Sequence, residues 1–227
     1  MGRQFCWLFI AILAVTTTGC SSSHPRIEPM VGENQAVSFD RGQLKLVSGK
    51  DHLLGVTLVD YSDDTVIVGI SVSNNGDEPF NFSESNVTGE LVSADGSFIV
   101  DVNSYESVIE KLDSRGYEAM KQAGMTSIGV GSGFVPFGSI AVSAARLLLS
   151  LGEWGATSGE NEIDAQTLSQ LKTSYLRRHT LLPGTKYEGL LRIGLPDELE
   201  AGDSLVFEVT AEQEIQTFKF LCNPTKK

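Results

Sequence analysis

The stretch from 65 to 74 alternates between apolar and other side chains with great regularity. Its apolar positions are Val66, Val68, Ile70 and Val72. A period of two places such residues on one face of a β-strand, so the stretch predicts a half-buried strand. It ends in the Asn-Asn-Gly-Asp sequence of residues 74–77. Since Asn and Gly tolerate positive φ, this sequence predicts a tight turn after the strand.

The same period of two governs two separated parts of the chain, residues 37–103 and the residues after 177. In the later part, Leu-Pro-Gly-Thr at 182–185 suits a type II turn, because proline fixes one φ and glycine supplies the positive one. Three strands are predicted after it: 186–193, 204–210 and 215–221. Closely spaced strands with hairpin-type turns are typical of antiparallel sandwiches. The late strands are needed to complete the sheets that the early strands begin.

Residues 104–180 interrupt this pattern. Apolar residues there recur at steps of three and four over three ranges: 105–122, 138–151 and 164–175. Such spacing indicates amphipathic helices. We therefore predict one mainly β domain over 37–222, an antiparallel β-sandwich with an α-helical insertion at about 104–180.

The amino-terminal region has the layout of a secretory signal. Arg3 precedes an apolar run over 5–15, and small residues lead to Gly19 and Cys20. This order predicts a signal peptide at 1–19. The cysteine directly after Gly19 resembles the lipobox of bacterial lipoproteins, although Thr17 stands where leucine is usual. The resemblance implies that Cys20 becomes the first mature residue and carries a lipid.

A polar segment with few apolar side chains follows this signal. Residues 20–36 contain Pro25, Pro29 and Gly32, and we interpret them as a flexible tether between the lipid and the domain. Ser21, directly after Cys20, resembles lipoproteins that are sorted to the outer membrane. The predicted location is therefore the cell envelope, with the protein lipid-anchored in the outer membrane and facing the periplasm or the cell surface.

Charge and cysteine content restrict partners and chemistry. The formal net charge is −12, with 29 acidic and 17 Lys or Arg residues. Phosphate backbones repel such a chain, so no nucleic-acid partner is predicted. If Cys6 leaves with the signal and Cys20 is lipidated, Cys222 remains without a disulfide partner in the sequence. Its apolar neighbours predict a buried structural thiol.

The motifs that usually carry catalysis are not found in the sequence. Gly131-Ser132-Gly133 lacks the flanking glycines of a nucleophile elbow, and no phosphate-binding loop is present. The histidines His24, His52 and His179 are far apart, without the close spacing of a zinc site. We predict no enzymatic activity, no cofactor and no metal. A hydrolase acting through acidic residues that the sequence does not pair is the least favoured alternative.

A glycine-rich segment over 127–152 has three readings. Its small and aromatic residues Gly129, Gly133, Phe134 and Phe137 are candidates for docking a partner. Gly129 and Gly133 form a Gly-x-x-x-Gly step, which allows close approach of a helix or a membrane. Packing inside the protein is the plainest reading, docking of an envelope partner the second, and membrane contact the third.

Arg177 and Arg178 form, with Lys172, a basic cluster on an otherwise acidic chain. They are also candidates for docking, in this case of an anionic partner. The simpler interpretation is electrostatic, because cations at the carboxyl end of a helix interact favourably with its dipole.

Two stretches resemble immunoglobulin-like domains of bacterial envelope lipoproteins. One runs over 68–79, where an apolar strand leads into an Asn/Gly turn and Pro79. The other runs over 175–184 and ends in the Thr-Leu-Leu-Pro-Gly turn that precedes a late strand. The resemblance implies an immunoglobulin-like β-sandwich and no functional residues.

These observations lead to two functional hypotheses. The first is a lipid-anchored envelope protein that acts as a non-enzymatic binding or scaffold module for another envelope protein. The alternative is a membrane-active component of an envelope assembly or export apparatus, acting through the glycine-rich segment 127–152. In both, the membrane is a partner through the N-terminal lipid.

Overall fold

The computed structural model describes residues 25–40, 43–110, 145, 148–149 and 165–224, and these residues form a mainly β fold. Thirteen strands follow one another along the described chain: β1 (Arg26–Met30), β2 (Ala36–Asp40), β3 (Gln43–Ser48), β4 (His52–Tyr61), β5 (Thr65–Asn74), β6 (Phe80–Phe82), β7 (Val87–Ser93), β8 (Gly96–Ile99), β9 (Asp101–Val102), β10 (His179–Leu181), β11 (Lys186–Gly194), β12 (Ser204–Ala211) and β13 (Glu214–Asn223). A 3₁₀ turn, Glu84–Asn86, precedes β7.

Nearly all of these strands belong to two antiparallel sheets. One sheet has five strands in the order β1-β13-β12-β7-β8, and the other has six in the order β2-β3-β4-β5-β11-β9. A small third sheet pairs β10 with β6. Every strand pair in the three sheets is antiparallel, and the neighbours along the chain, such as β4 with β5 and β12 with β13, are joined by short connections that suit this direction.

One apolar core joins the two large sheets. Val68 and Ile70 of β5 in one sheet, and Phe207 of β12 in the other, have no exposed surface and belong to the same buried cluster. Burying each such side chain contributes about 1.5–3 kcal/mol relative to leaving it exposed. The arrangement is β-sandwich-like, and the predicted mainly β, antiparallel class is confirmed at that level.

The late strands agree with the predicted period of two. β11, β12 and β13 cover the three ranges predicted after residue 182, and β11 and β12 extend theirs by one residue each and β13 by three. The turn before β11 also matches. Gly184 has a φ of 73°, and the Thr185 amide donates to the Leu182 carbonyl at 3.0 Å.

The predicted flexible tether is wrong for residues 26–30, which form β1 and pair with β13. Ile27 packs against the core, and Tyr61 donates a hydrogen bond to the Pro25 carbonyl at 2.8 Å. Pro29 lacks an N–H, and its position in an edge strand is one that a sheet tolerates. The free edge of β13 thus recruits a segment whose composition resembled a linker.

The described part of the predicted insertion is partly helical. Residues 105–110, Ala145 and 148–149 are helical, and helix α1 (Ala165–Ser174) occupies the third predicted range. Gly129, Gly133, Phe134 and Phe137 lie outside the described residues, as does Cys20. Among the helices that the structure describes, none is long and apolar enough to cross a membrane.

Candidate functional site

A cleft of about 580 Å³ opens at one end of the two large sheets. Three segments form it: the start of β4, the turn between β5 and β6, and the hairpin between β12 and β13. Its charged and ionisable lining residues are Asp51, His52, Asp77, Glu78, Glu212 and Glu214. Neither lysine nor arginine occurs among the described residues that line it. The cleft is therefore strongly acidic.

His52 lies at the base of this cleft. Its side chain is only 6% exposed, and its ring stacks on Phe80 with centroids 4.5 Å apart. Nε2 lies 3.2 Å from a carboxylate oxygen of Glu212. Nδ1 is buried and has no hydrogen-bond partner among the described residues. A buried polar atom without a partner costs about 1–3 kcal/mol, so this nitrogen stands out within a well-bonded core.

Glu212 occupies an unusual backbone conformation in the hairpin. Ala211 and Glu214 pair across a two-residue connection, and Glu212 has a φ of 53°. Hairpins of this length favour glycine or asparagine where φ is positive, and another residue there costs about 1 kcal/mol. The glutamate adopts this conformation while its carboxylate contacts His52. The hairpin thus places the Glu212 carboxylate beside His52 while its backbone adopts an unfavourable conformation.

Glu214 joins the hairpin to the turn before β4. Its carboxylate accepts hydrogen bonds from the backbone amides of Asp51 at 3.2 Å and Lys50 at 3.5 Å. The turn requires glycine at position 49, where φ is 116° and a Cβ would lie 1.9 Å from the His52 carbonyl oxygen. These contacts fix two of the three segments of the cleft against each other.

Asn74 shapes the third segment, the turn over 75–78. Its side-chain amide donates to the carbonyls of Glu78 at 2.8 Å and Leu181 at 3.1 Å, and its Oδ1 accepts from the Gly76 amide at 3.0 Å. The turn is where the sequence placed it, but the positive φ that we expected is not found in the described residues 74–77. The Asn74 side chain, rather than left-handed backbone, makes the turn.

Gly76 has a packing role instead. A Cβ at this position would lie 3.3 Å from Asn74 Oδ1, 3.3 Å from His52 Cε1 and 3.9 Å from His52 Nδ1. Contacts of 3.3 Å are tighter than ordinary van der Waals distances, so a side chain here would crowd the imidazole. The backbone of the turn therefore covers the Nδ1 side of the ring, and Gly76 adds no side chain there.

The structure does not bring Arg177 and Arg178 into this cleft. Both side chains are exposed. The backbone amide of Arg177 donates a hydrogen bond to the Tyr187 hydroxyl at 3.1 Å. Helix α1 ends at Ser174, so the expected dipole interaction applies to Lys172 in its last turn and not to the two arginines. The helical explanation for this pair is wrong because the chain leaves the helix before reaching it.

Sequence reasoning missed His52 because it compared histidines with one another. A different signal was available. His52 lies on the same face of β4 as Leu54 and Val56, and both of these side chains are buried in the core. A polar residue at a buried position of an alternating strand calls for a partner inside the protein. That partner, Glu212, is 160 residues away in sequence.

The cleft has the chemistry of a site for positive charge. No group of three or more His, Cys, Asp or Glu side chains in the described part of the chain is placed to hold a metal ion. The described lining residues include no serine, threonine or cysteine that would serve as a nucleophile. What the cleft offers is carboxylate oxygens, and these attract cations and N–H donors.

Comparison with known proteins gives no relative for this chain. No protein-family model, no curated protein and no solved structure matches it. A fold class alone does not determine function, so the cleft and the sequence are the features that bear on it.

Proposed function

We propose that this chain is a lipid-anchored, non-enzymatic binding module of the bacterial cell envelope, and that it binds a basic partner in the acidic cleft around His52. The observation that carries the proposal is the cleft itself. Three connected segments, fixed by Asn74 and Glu214, present carboxylates around a buried histidine whose Nδ1 has no partner among the described residues. Concave sites with a few fixed polar groups are the usual form of binding sites.

The order of the strands supports an immunoglobulin-like sandwich. The order β4-β5-β11-β9 corresponds to strands A, B, E and D of such domains, and β13-β12-β7-β8 corresponds to G, F, C and C′. The chain order of these eight strands follows the same lettering. β2 and β3 then extend one sheet beyond A, and β1 extends the other beyond G. The sequence resemblance over 68–79 and 175–184 implied an immunoglobulin-like sandwich, without assigning individual strands.

This strand order supports a binding role for the end of the domain that carries the cleft. In immunoglobulin variable domains, the B–C and F–G connections lie at the end that binds antigen. Here the connection after β5 and the β12–β13 hairpin occupy these two places, and both line the cleft. Loops on a rigid sheet scaffold are a common place for recognition.

We also propose that the segment between β9 and β10 is a helical insertion into the sandwich. Leu148 provides support, because its carbonyl accepts a hydrogen bond from Arg192 Nε of β11 at 3.1 Å. Arg192 also donates to Asn103 Oδ1 at 2.6 Å and to Thr65 Oγ1 at 2.9 Å. A guanidinium with three neutral acceptors fastens the insertion to the larger sheet.

The anchor and the location rest on the sequence. A lipid on Cys20 would hold the domain at a membrane, and Ser21 favours the outer membrane of the envelope. The partner is then an envelope protein with an exposed basic segment.

The test is capture of a partner with matched charge reversals. Glu78→Lys places a positive charge in the cleft, and Glu198→Lys makes the same change at an exposed position in the β11–β12 connection. The lipidated chain and each variant are used to capture components from detergent-solubilised envelopes. We expect one envelope protein to be captured by the wild type and by Glu198→Lys and lost with Glu78→Lys. Equal capture by all three chains would reject the cleft as the binding site.

A further inference from the structure

We infer that a second groove, on the outer face of the six-stranded sheet, binds a small phosphate ester. This basic groove is separate from the cleft around His52 and has a volume of about 310 Å³. The polar residues that line it come from four strands: Ser38, Lys45, Ser71, Ser73 and Lys186. Neither aspartate nor glutamate occurs among its described lining residues, although the chain has a formal net charge of −12.

The strand pattern places the basic groove on the side of the sheet that faces away from the core. Its lining residues on β3, β4 and β5 alternate with Leu46, Leu54 and Val72, whose side chains are fully buried in the core. Since neighbouring residues of a strand point to opposite faces of a sheet, the lining residues point outward. The groove is therefore a surface that a ligand can reach without entering the domain.

The first argument for a phosphate is the arrangement of the two lysines. Lys45 Nζ lies 3.1 Å and Lys186 Nζ lies 2.6 Å from the same oxygen, Oε1 of Glu188. The three side chains together carry one net positive charge. Each ammonium has three N–H donors and contacts only this acceptor among the described residues, so two donors of each lysine are left for a ligand.

The second argument is that the sheet leaves room for this arrangement. Lys45 on β3 and Glu188 on β11 are separated by β4 and β5, and their side chains meet across these two strands. A Cβ at Gly55 of β4 would lie 3.0 Å from Lys45 Cδ and 2.6 Å from Ser71 Oγ. Contacts this short would displace these side chains. Gly55 therefore allows Lys45 to lie across the sheet, where its side chain is only 15% exposed.

The third argument is the hydroxyl of Ser71. This residue is 6% exposed, and no hydrogen bond of its hydroxyl is found among the described residues. Ser48, which is similarly buried in the same sheet, donates to Gln216 Oε1 at 2.6 Å. Because a buried hydroxyl without a protein partner is unfavourable, Ser71 provides the basic groove with a donor that a ligand oxygen satisfies.

The class of ligand follows from its charge and its number of acceptors. A phosphate monoester has three acceptor oxygens and a charge of about −1.5 to −2 at neutral pH. These oxygens match the donors of Lys45, Lys186 and Ser71, whereas a carboxylate has two oxygens and a smaller charge. The groove is larger than a phosphate group, and Leu53, which is 40% exposed, adds apolar surface for the carbon part. A sugar phosphate or a glycerol phosphate meets this description.

The experiment titrates the purified full chain in detergent with glucose phosphate, glycerol phosphate and inorganic phosphate, each by calorimetry. Glucose and glucuronate are the control ligands. We expect the two esters to bind and to shift the ¹³Cε resonances of Lys45 and Lys186 in NMR spectra. Glucose should not bind, and glucuronate should bind at least about fivefold more weakly than glucose phosphate. The tightest of the three phosphates identifies the source of the group as a sugar, a glycerol unit or the free ion.

Two matched pairs of variants locate the site. Lys186→Gln removes an ammonium from the groove and should weaken binding about tenfold, whereas Lys219→Gln, at an exposed position of β13, should leave it within about twofold. Glu188→Gln removes the negative charge between the two lysines and should tighten binding about threefold, whereas Glu198→Gln should not change it. Circular dichroism checks that each variant is folded, and the lysine pair remains decisive if Glu188→Gln is not.

The inference is overturned if none of the phosphates binds, or if all four variants bind as the wild type does. It is also overturned if glucuronate binds as tightly as glucose phosphate, or if Glu198→Gln tightens binding as much as Glu188→Gln, because overall charge would then govern binding. The capture experiment with Glu78→Lys is independent of these results. It tests the proposed function of the cleft whether or not the basic groove binds phosphate.

Discussion

The phenol of Tyr175 donates a hydrogen bond to the backbone carbonyl of Asn103 at 2.7 Å, across 72 residues of sequence. The same oxygen accepts from the Arg192 amide at 3.2 Å. Burial raises the pKa of the Tyr175 phenol, so it remains protonated and available as a donor. Tyr175 thereby ties both ends of the predicted insertion to strand β11.

Replacement of Tyr175 by phenylalanine should therefore destabilise the domain. The Tyr175→Phe variant keeps the ring but leaves the Asn103 carbonyl and the Arg192 amide without this partner in a buried place. We expect a loss of about 1–3 kcal/mol in the free energy of unfolding, measured by urea denaturation. Tyr105→Phe is the control, because no hydrogen bond of the Tyr105 hydroxyl is found among the described residues. Equal stability of both variants would contradict the role given to Tyr175.

Two glycines of β11 should respond differently to alanine. A Cβ at Gly189 would lie 2.7 Å from the Cα and 2.9 Å from the amide nitrogen of Leu176, so the backbone would have to move. At Gly194, the nearest atom is Asp101 Cβ at 3.6 Å, an ordinary contact. Gly189→Ala should lower the free energy of unfolding by about 1–3 kcal/mol.

The matched Gly194→Ala variant should change it by less than about 0.5 kcal/mol. Thermal unfolding of the two variants, compared with wild type, measures the difference. A Gly189→Ala variant as stable as wild type would show that the segment beside β11 adapts without cost.

Glu188 should contribute a pH-dependent part of stability. Burial by itself raises the pKa of its carboxyl, but hydrogen bonds and charge from Lys186 and Lys45 lower it overall below its ordinary value of 4.5. A carboxyl with a lowered pKa in the folded state stabilises the protein above the unfolded pKa, and this contribution is lost as the pH falls through the folded pKa. Wild type should therefore lose its advantage over Glu188→Gln as the pH falls below 4.5.

The free energies of unfolding of both chains, measured between about pH 6 and about pH 3, test this prediction. Glu198→Gln, which changes an exposed carboxylate, controls for the general effect of removing a charge. A constant difference between wild type and Glu188→Gln across that range would show that the two lysines do not stabilise the ionised form.

Cys20 should carry the lipid. Cells expressing the wild-type chain and labelled with a radioactive fatty acid should give a labelled protein, and cells expressing Cys20→Ala should give none. Cys222→Ala, which removes a buried thiol, should keep the label. Equal labelling of wild type and Cys20→Ala would remove the anchor from the proposed function.

Much of the strand content could be predicted because side-chain alternation is a local property of the sequence. The strand predicted at 65–74 became β5 with the same limits, but the expectation that it is half-buried is wrong: nine of its ten residues are buried, so both of its faces are covered. β1 could not be predicted in this way. Its residues 26–30 carry no alternating pattern, and they form a strand because β13 offers a free edge. Edge pairing depends on a distant partner, which local sequence does not reveal.

The cleft could be predicted only in part. The turn after Asn74 was visible in the sequence, and so was the buried phase of His52 in β4. The contact between His52 and Glu212 was not, because it depends on how two sheets bring residues together. The docking candidates Gly129, Gly133, Phe134 and Phe137 lie outside the described residues, so their role, and the membrane-active alternative with them, stays a prediction.

The pairing of β1 with β13 also places the start of β1 at the end of the domain opposite the cleft. Arg26 lies opposite Asn223, whereas the hairpin that lines the cleft begins at the other end of β13, beside Glu214. Ten residues of strand separate these two ends by about 30 Å. From Cys20 to Pro25 the chain can span at most about 18 Å. A lipid on Cys20 would thus hold the domain close to the bilayer with the cleft directed away from it, toward ligands that arrive from the aqueous side.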